Sequence, residues 1–256
     1  MNSKIRTVLV SPHSDDIAFS LGGTLLKNFF HGPSLMVTIF TKSKYSPCIK
    51  IFDAELISKI RHSEDVEFAD KLQIKFQSFN FSESSLRGYS RRDIFTNKDP
   101  VSDPVYTEVF YALSKLIKSC QCEFIVSPMG LGNHIDHIIV CNICSRIAKE
   151  NNIKIVFYEE LHYASRLTLN QIKIRANSIN PDLQPLKINI TTIFNNKIQN
   201  IKLYKTQVGR IILGGIIQIM IKSHAMRLGI ENKSLKELVL PCNFIKYLIF
   251  LSTSKY

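Results

Sequence analysis

Arg6-Thr7-Val8-Leu9-Val10-Ser11-Pro12-His13-Ser14-Asp15-Asp16 passes from an apolar run into a cluster of ionisable side chains, and a helical pattern starts where the cluster ends. Leu21, Leu25, Leu26 and Phe29 recur on one side, so 6–11 reads as a buried strand and 16–30 as the helix that follows it. A second cluster, His134-Ile135-Asp136-His137, stands in the same position, between the apolar run 123–127 and the amphipathic run 138–150. Imidazoles and carboxylates crowded at strand ends cost desolvation unless water, a partner or a metal satisfies them, so both clusters mark function.

Working outward, 35–41 is the next strand, 52–72 a helix through Leu56, Ile60, Val66, Ala69 and Leu72, and 74–79 a third strand. The Ser-, Arg-, Asp- and Pro-rich stretch 80–104 has no periodicity and is expected to be a substrate-facing loop. Helix 105–119, strand 123–127, helix 138–150 and strand 153–158 complete the pattern. Strands alternating with helices imply an α/β fold with a mostly parallel sheet covered on both faces, and such sheets bind ligands beyond the carboxyl ends of their strands.

After about residue 160 the pattern weakens to a strand at 187–194, a helix at 196–207 and an apolar, helical remainder. The expectation is a single domain over 1–256, with a core of about 1–165 and a helical C-terminal extension, 166–256, that completes it or forms an interface. Pairing of two subunits through the apolar tail, giving a homo-oligomer, is one outcome of that reading.

At 256 residues and 45% hydrophobic the chain can bury a sizeable core, which excludes a disordered protein. Its net charge of +12 is concentrated late: from Lys197 onward ten Lys or Arg face only Glu231 and Glu237. That surplus reads as a solvated basic surface rather than a nucleic-acid partner. The run 211–221 is about half of the roughly 20 residues a spanning helix needs, and Pro241, Asn243 and Lys246 interrupt 238–251, so both read as buried helix or partner interface, with no integral membrane segment. The apolar start is too short for a signal sequence and the six cysteines fit no disulfide framework, so a cytoplasmic protein with free thiols is expected. Cys141 and Cys144 share a helix face and belong to a core.

His13 and Asp16 lie across one strand-to-helix turn with Asp15 pointing to its other side, and His137 or His134 can supply a third ligand. Two imidazoles, a carboxylate and water make a catalytic zinc set, because three protein ligands leave one position open for chemistry. Taken singly, Asp15 or Asp16 would cap the first helix and Asn133 or Asp136 the later one; two clusters at two strand ends point to a site.

At these residues the chain resembles the LmbE-like or PIG-L deacetylases, whose members carry a His-Pro-Asp-Asp-Glu type motif after a strand and a later His-x-Asp-His motif. Leu21-Gly22-Gly23, the Arg61-His62-Ser63-Glu64-Asp65 helix, the segment 157–164 and Lys197 through Gln207 look like further family segments. Ser14 stands where the family has proline, and Ile17 where it has an acid, which removes one supporting carboxylate. The resemblance implies a Rossmann-like three-layer sandwich and a zinc-dependent N-deacetylase acting on a small-molecule N-acetylated amino sugar, such as the N-acetylglucosamine unit of an aminoglycoside antibiotic precursor. It implies that His13, Asp16 and His137 hold Zn2+, that Asp15 is the general base, that a protonated His134 stands near the developing oxyanion and that Asp136 orients His134.

Arg61 is the first candidate for gripping sugar hydroxyls or a phosphate, with an exposed arginine or a salt bridge to Glu64 or Asp65 as the alternative. Arg87, with Tyr89, Arg91 and Arg92, is a second substrate-binding candidate. Two rival functions are a metal-dependent sugar-nucleotide transferase, with Asp15 and Asp16 on Mg2+, and a non-catalytic basic binding module. The first lacks a Gly-rich phosphate loop, and histidines suit a hard cation poorly.

Overall fold

Thr7–Ser11 forms β1, buried at every position, and the chain then builds a sheet on both sides of it. The structure, a computed structural model, describes residues 4–209 and 246–252. Among them β1, β2 (Ser34–Thr38), β3 (Lys75–Ser78), β4 (Phe124–Pro128), β5 (Lys154–Tyr158), β6 (Leu183–Asn189) and β7 (Lys246–Ser252) make one sheet in the order β3-β2-β1-β4-β5-β7-β6. The pairings from β3 to β5 are all parallel, and β7 runs antiparallel to both β5 and β6.

The side chains of a strand alternate between faces, and here both faces are apolar because both are covered. Val8 and Val10 of β1 meet α3 (Tyr106–Cys120), α4 (Ile135–Asn151) and α6 (Leu169–Ile179) through Val109, Leu113, Ile139 and Ile172. Leu9, between them, meets α1 (Asp16–Leu26), α2 (Ala54–Lys71) and α7 (Phe194–Ile201) through Ile17, Phe68 and Ile201. The result is a three-layer α/β/α sandwich. A four-residue α5 (Leu161–Ala164) follows β5. Ile17 is 1% exposed and belongs to this core, which accounts for an apolar residue there. Gly23 lets α1 approach the chain before α7, since a Cβ on it would stand 2.8 Å from the Ile190 side chain.

The C-terminal part differs from expectation. Its strand lies at Leu183–Asn189 rather than 187–194, and α6 starts at a capping box in which the Thr168 side chain and Gln171 satisfy each other's backbone. Lys246–Ser252, read as apolar helix, is a strand between β5 and β6, with Phe157 opposite Phe250 and Ile188 opposite Tyr247. Inserted there it pairs backbone groups that β5 and β6 would otherwise leave open, a gain no local pattern shows. The run 211–221, His224 and Cys242 lie outside the described residues. No helix among the described residues is long and apolar enough to cross a membrane, and the five described cysteines are free. Cys141 and Cys144 are buried in α4, and burial pushes both thiols up.

Candidate active site

The chain leaves β1 for β2 on one side and later returns to β4 on the other, so the sheet reverses between β1 and β4. A crevice opens beyond the carboxyl ends of strands at such a switch point. Both polar clusters follow these two strands.

After β1 the turn is tight. Ser11 Oγ donates to the His13 carbonyl at 2.7 Å, and the His13 N–H donates to Asp16 Oδ2 at 2.9 Å. Asp15 has φ 105° and ψ −31°, a conformation that costs a non-glycine residue on the order of 1–3 kcal/mol and persists only where the surroundings over-determine it. Arg61 Nη2 donates to the Ser14 carbonyl at 2.9 Å, the Phe19 N–H donates to the Asp15 carbonyl at 2.9 Å, and Ser14 bonds Asp65 through its side chain.

The turn after β4 uses glycine. Gly130 and Gly132 have φ 74° and 76°, and a Cβ on Gly132 would come within 2.9 Å of the Tyr163 ring. The Glu160 carboxylate, at the end of β5, accepts from the N–H groups of Met129 (3.2 Å), Gly130 (2.6 Å) and Leu131 (3.3 Å). His134 caps α4, its Nδ1 accepting the Asp136 N–H at 3.3 Å.

Three atoms meet over the crevice. His13 Nδ1 is 3.5 Å from Asp16 Oδ2, His137 Nε2 is 3.4 Å from the same oxygen, and the two nitrogens are 3.3 Å apart. A tetrahedral ion with bonds of about 2.0–2.1 Å holds its ligand atoms roughly 3.3–3.4 Å apart, so the triad fits one ion without rearrangement. Each imidazole is backed by a carboxylate: Asp136 Oδ2 lies 2.9 Å from His13 Nε2 and Glu160 Oε1 3.2 Å from His137 Nδ1. A carboxylate accepts, so these outer nitrogens carry protons, and the inner nitrogens would turn their lone pairs to an ion once one is bound, the usual support of a metal-bound histidine. A looser group, His13, His134 and His137, has ligand atoms within 4.8 Å. Asp16 is the better third ligand because its oxygen touches both histidines, whereas His134 Nδ1 is spent on its cap. The cluster is a candidate metal site. His137 is 1% exposed at its side chain and Asp16 13%, so it opens from one side.

Two adjacent carboxylates are driven apart. Burial and the Asp16 charge push Asp15 well above the usual carboxylate range, with Arg61 pulling it back. Burial would raise Asp16 too, but His137 and His13 hold it well below that range. Burial opposes a charge on His13, yet its bonds with Asp136 and Asp16 outweigh this and lift its pKa to about 10. His134 is lowered to about 3 by burial and by the charges of His13 and His137. It is a neutral ring here, not the protonated one expected, and with Nδ1 accepting, its proton sits on Nε2.

The expected substrate arginines are occupied elsewhere. Arg61 is 4% exposed and, besides Ser14, donates to Ser43 Oγ at 3.0 Å and the Tyr45 carbonyl at 3.3 Å, so it braces the first turn. Arg87 donates to the Ser82 carbonyl at 2.7 Å and Asp103 Oδ2 at 3.0 Å, and pairs with Asp136 Oδ1 at 2.8 Å. Neither offers an open fork to a ligand. Asp136 also departs from expectation: its carboxylate aligns His13, and only its backbone N–H reaches His134.

The sequence marks Glu160 only as part of the family-like segment 157–164 and gives it no role, although Glu159-Glu160 follows β5 as the two clusters follow their strands. Sequence reasoning missed two aromatic walls. The Phe95 ring stands edge-on to His134 at 5.7 Å and Tyr163 edge-on to His137 at 5.3 Å. No local pattern marks Phe95, which an isolated bridge to His134 carries in from the long loop. Of the other histidines, His62 faces Ser78, and His162 stacks on Phe19 at 5.4 Å.

A mostly parallel sheet with two histidines and a carboxylate gathered over its switch point defines an α/β protein with a candidate metal site. The chain belongs to the PIG-L family: the family model described as GlcNAc-PI de-N-acetylase matches residues 8–148. It is 23% identical over 205 residues to 2'-N-acetylparomamine deacetylase of Streptomyces fradiae, covering 79% of this chain and 73% of that protein. A deacetylase from the biosynthesis pathway of teicoplanin has the same fold, with 18% identity, a TM-score of 0.70 and 96% of this chain matched to 97% of that one. The zinc-inhibited form of a teicoplanin deacetylase matches over the same shares at 17% identity and a TM-score of 0.68.

Proposed function

We propose that this chain is a zinc-dependent N-deacetylase that removes the N-acetyl group from an N-acetylglucosamine unit of a small glycoside, a biosynthetic intermediate such as an aminoglycoside antibiotic precursor. One observation carries the reading. His13, Asp16 and His137 bring three ligand atoms within 3.5 Å of one another and leave a fourth position of an ion open, and Asp15, the chain neighbour of Asp16, is the carboxylate beside them. Family membership and the paromamine-deacetylating relative direct the substrate toward an acetylated amino sugar.

His13, Asp16 and His137 would hold the ion, and two imidazoles with one carboxylate in tetrahedral spacing suit zinc. An ion held there would supply a water with a pKa lowered to about 7 and a polarised carbonyl. Asp15, its carboxyl raised above the usual carboxylate range by burial and the Asp16 charge, takes the proton of the attacking water and returns it to the departing amine. The C–O bond forms, the amide C–N bond breaks, and acetate and a free amino sugar leave. His134 donates from Nε2 to the carbonyl oxygen as that oxygen gains charge, a contact worth about 10²–10³ in rate. Phe95 and Tyr163 shield this side of the crevice from water.

The transferase reading needs phosphate-binding groups, and the two arginines that would serve are spent inside the protein. The structural-metal reading needs four closing ligands, and three are here.

The test is metal content together with acetate release from a panel of N-acetylglucosaminides, 2'-N-acetylparomamine among them, for wild type and Asp15→Asn. One zinc per chain and acetate release that falls about 10²–10⁴-fold in the variant is the expected result. A metal-free, acetate-silent wild type overturns the function, and undiminished release by Asp15→Asn overturns the base.

A further inference from the structure

We propose that Arg87 is a positioning residue for the metal site, setting the orientation of His13 through Asp136 and thereby the affinity for the ion. The inference rests on the reading of His13, Asp16 and His137 as ligands, and it gives the long loop after β3 a task other than meeting substrate.

Asp136 is completely buried, and a carboxylate so placed needs its charge matched and its lone pairs filled. Its Oδ2 accepts the Ser84 N–H at 2.9 Å and faces His13 Nε2 at 2.9 Å. Its Oδ1 faces Arg87 Nη2 at 2.8 Å. Among the described residues Arg87 and His13 are the cationic side chains paired with it. The carboxylate is thus held at both oxygens, Oδ2 by hydrogen bonds with His13 and Ser84 and Oδ1 by the charge of Arg87, an ion pair at 2.8 Å without hydrogen-bond geometry. If the grip on Oδ1 is lost, the carboxylate is free to turn, and the imidazole it holds is no longer aimed with Nδ1 at the ion position.

Arg87 is itself fixed. Besides Asp136 it reaches Asp103 Oδ2 at 3.0 Å and the Ser82 carbonyl at 2.7 Å. Its guanidinium lies over Phe40 at 4.9 Å and beside Tyr89 at 5.7 Å. Asp103 is held by the Tyr89 hydroxyl at 2.8 Å and the Val105 N–H at 2.9 Å. The chain of contacts therefore runs from Tyr89 and Asp103 through Arg87 and Asp136 to His13, every link between 2.8 and 3.0 Å. A guanidinium spans two carboxylates and a carbonyl at once, and a lysine, a single point charge, does not.

The experiment compares full-length wild type, Arg87→Ala, Arg87→Lys and Tyr89→Phe. Zinc affinity is measured by chelator competition, the visible spectrum is recorded with cobalt in place of zinc, and metal-free melting is followed in parallel. Arg87→Ala is expected to bind zinc about 10–100-fold more weakly with an altered cobalt spectrum, Arg87→Lys to recover part of the loss, and Tyr89→Phe to lose several-fold. Wild-type zinc affinity and an unchanged cobalt spectrum in folded Arg87→Ala overturn the proposal; if that variant does not fold, the same result for Arg87→Lys and Tyr89→Phe overturns it. A merely structural arginine would lower the melting temperature and leave the zinc affinity of the folded protein alone. A substrate-gripping arginine would raise KM and do the same. Failure of wild type to bind zinc would instead overturn the function proposed above.

Discussion

The turn after β1 and the turn after β4 carry matching chemistry, yet they are held by opposite means. The first has no glycine and keeps Asp15 at φ 105°, braced by side chains from α2, Arg61 and Asp65. The second relaxes its backbone with Gly130 and Gly132 and ties it to the single carboxylate of Glu160. The difference teaches where each half of the site is vulnerable. Strain at Asp15, the proposed base, must be maintained from a distance, whereas His137, a proposed ligand, depends on a group that also shapes its own turn.

Glu160→Gln should break the second turn most. The substitution keeps an accepting oxygen but replaces the other with a donor, while the carboxylate now receives three N–H groups and backs His137 at 3.2 Å. Zinc affinity is expected to fall about 10–100-fold, with a lower melting temperature. Retention of wild-type affinity, measured by chelator competition, would mean that the glycines alone set the turn.

Arg61→Met should break the first turn by a smaller amount. It removes the donor to the Ser14 carbonyl and leaves Glu83, 3.9 Å away and nearly buried, without its cation. Asp15 is then free to relax toward an ordinary backbone conformation. A loss in kcat of about tenfold is expected, with KM and zinc content close to wild type, since the proposed base moves and the proposed ligands stay. A rise in KM with kcat unchanged would restore Arg61 to the substrate.

The two turns were legible because an apolar run followed by ionisable residues is a local signal, and the alternation of strands and helices around it fixes the parallel sheet. The braces were not. Arg61 and Arg87 look alike in a polar sequence, and what separates a ligand-gripping arginine from an internal one is the position of carbonyls and carboxylates far away in the chain, such as Ser14 and Asp136. β7 escaped for the same reason, since Lys246–Ser252 becomes a strand through partners at 156–158 and 183–189. The loss of the family's acid at Ile17 looked like a weakened site, but carboxylates from two other elements, Asp136 and Glu160, already back both histidines.

The smallest expected effect lies in the pH dependence of the first turn. In the metal-free protein His13 of the first turn has its pKa raised to about 10, from an ordinary 6.5, against burial and by Asp136 and Asp16. A group whose folded pKa is raised contributes stability that is fully present below pH 6.5 and is lost as pH climbs through about 10. Buried Lys197, its pKa lowered by burial, works the other way and gains stability as pH rises, so the melting temperature of wild type alone mixes the two. The difference between metal-free wild type and Asp136→Asn cancels Lys197. Its advantage to wild type should shrink by a few degrees between pH 7 and pH 10. Zinc must displace the same proton, so its binding should release about one proton at pH 8, measurable as a buffer-dependent heat of binding. A melting difference that stays flat over this window would show that the pair of His13 and Asp136 carries no net charge coupling, and the first turn would then rest on Arg61 and Asp65 alone.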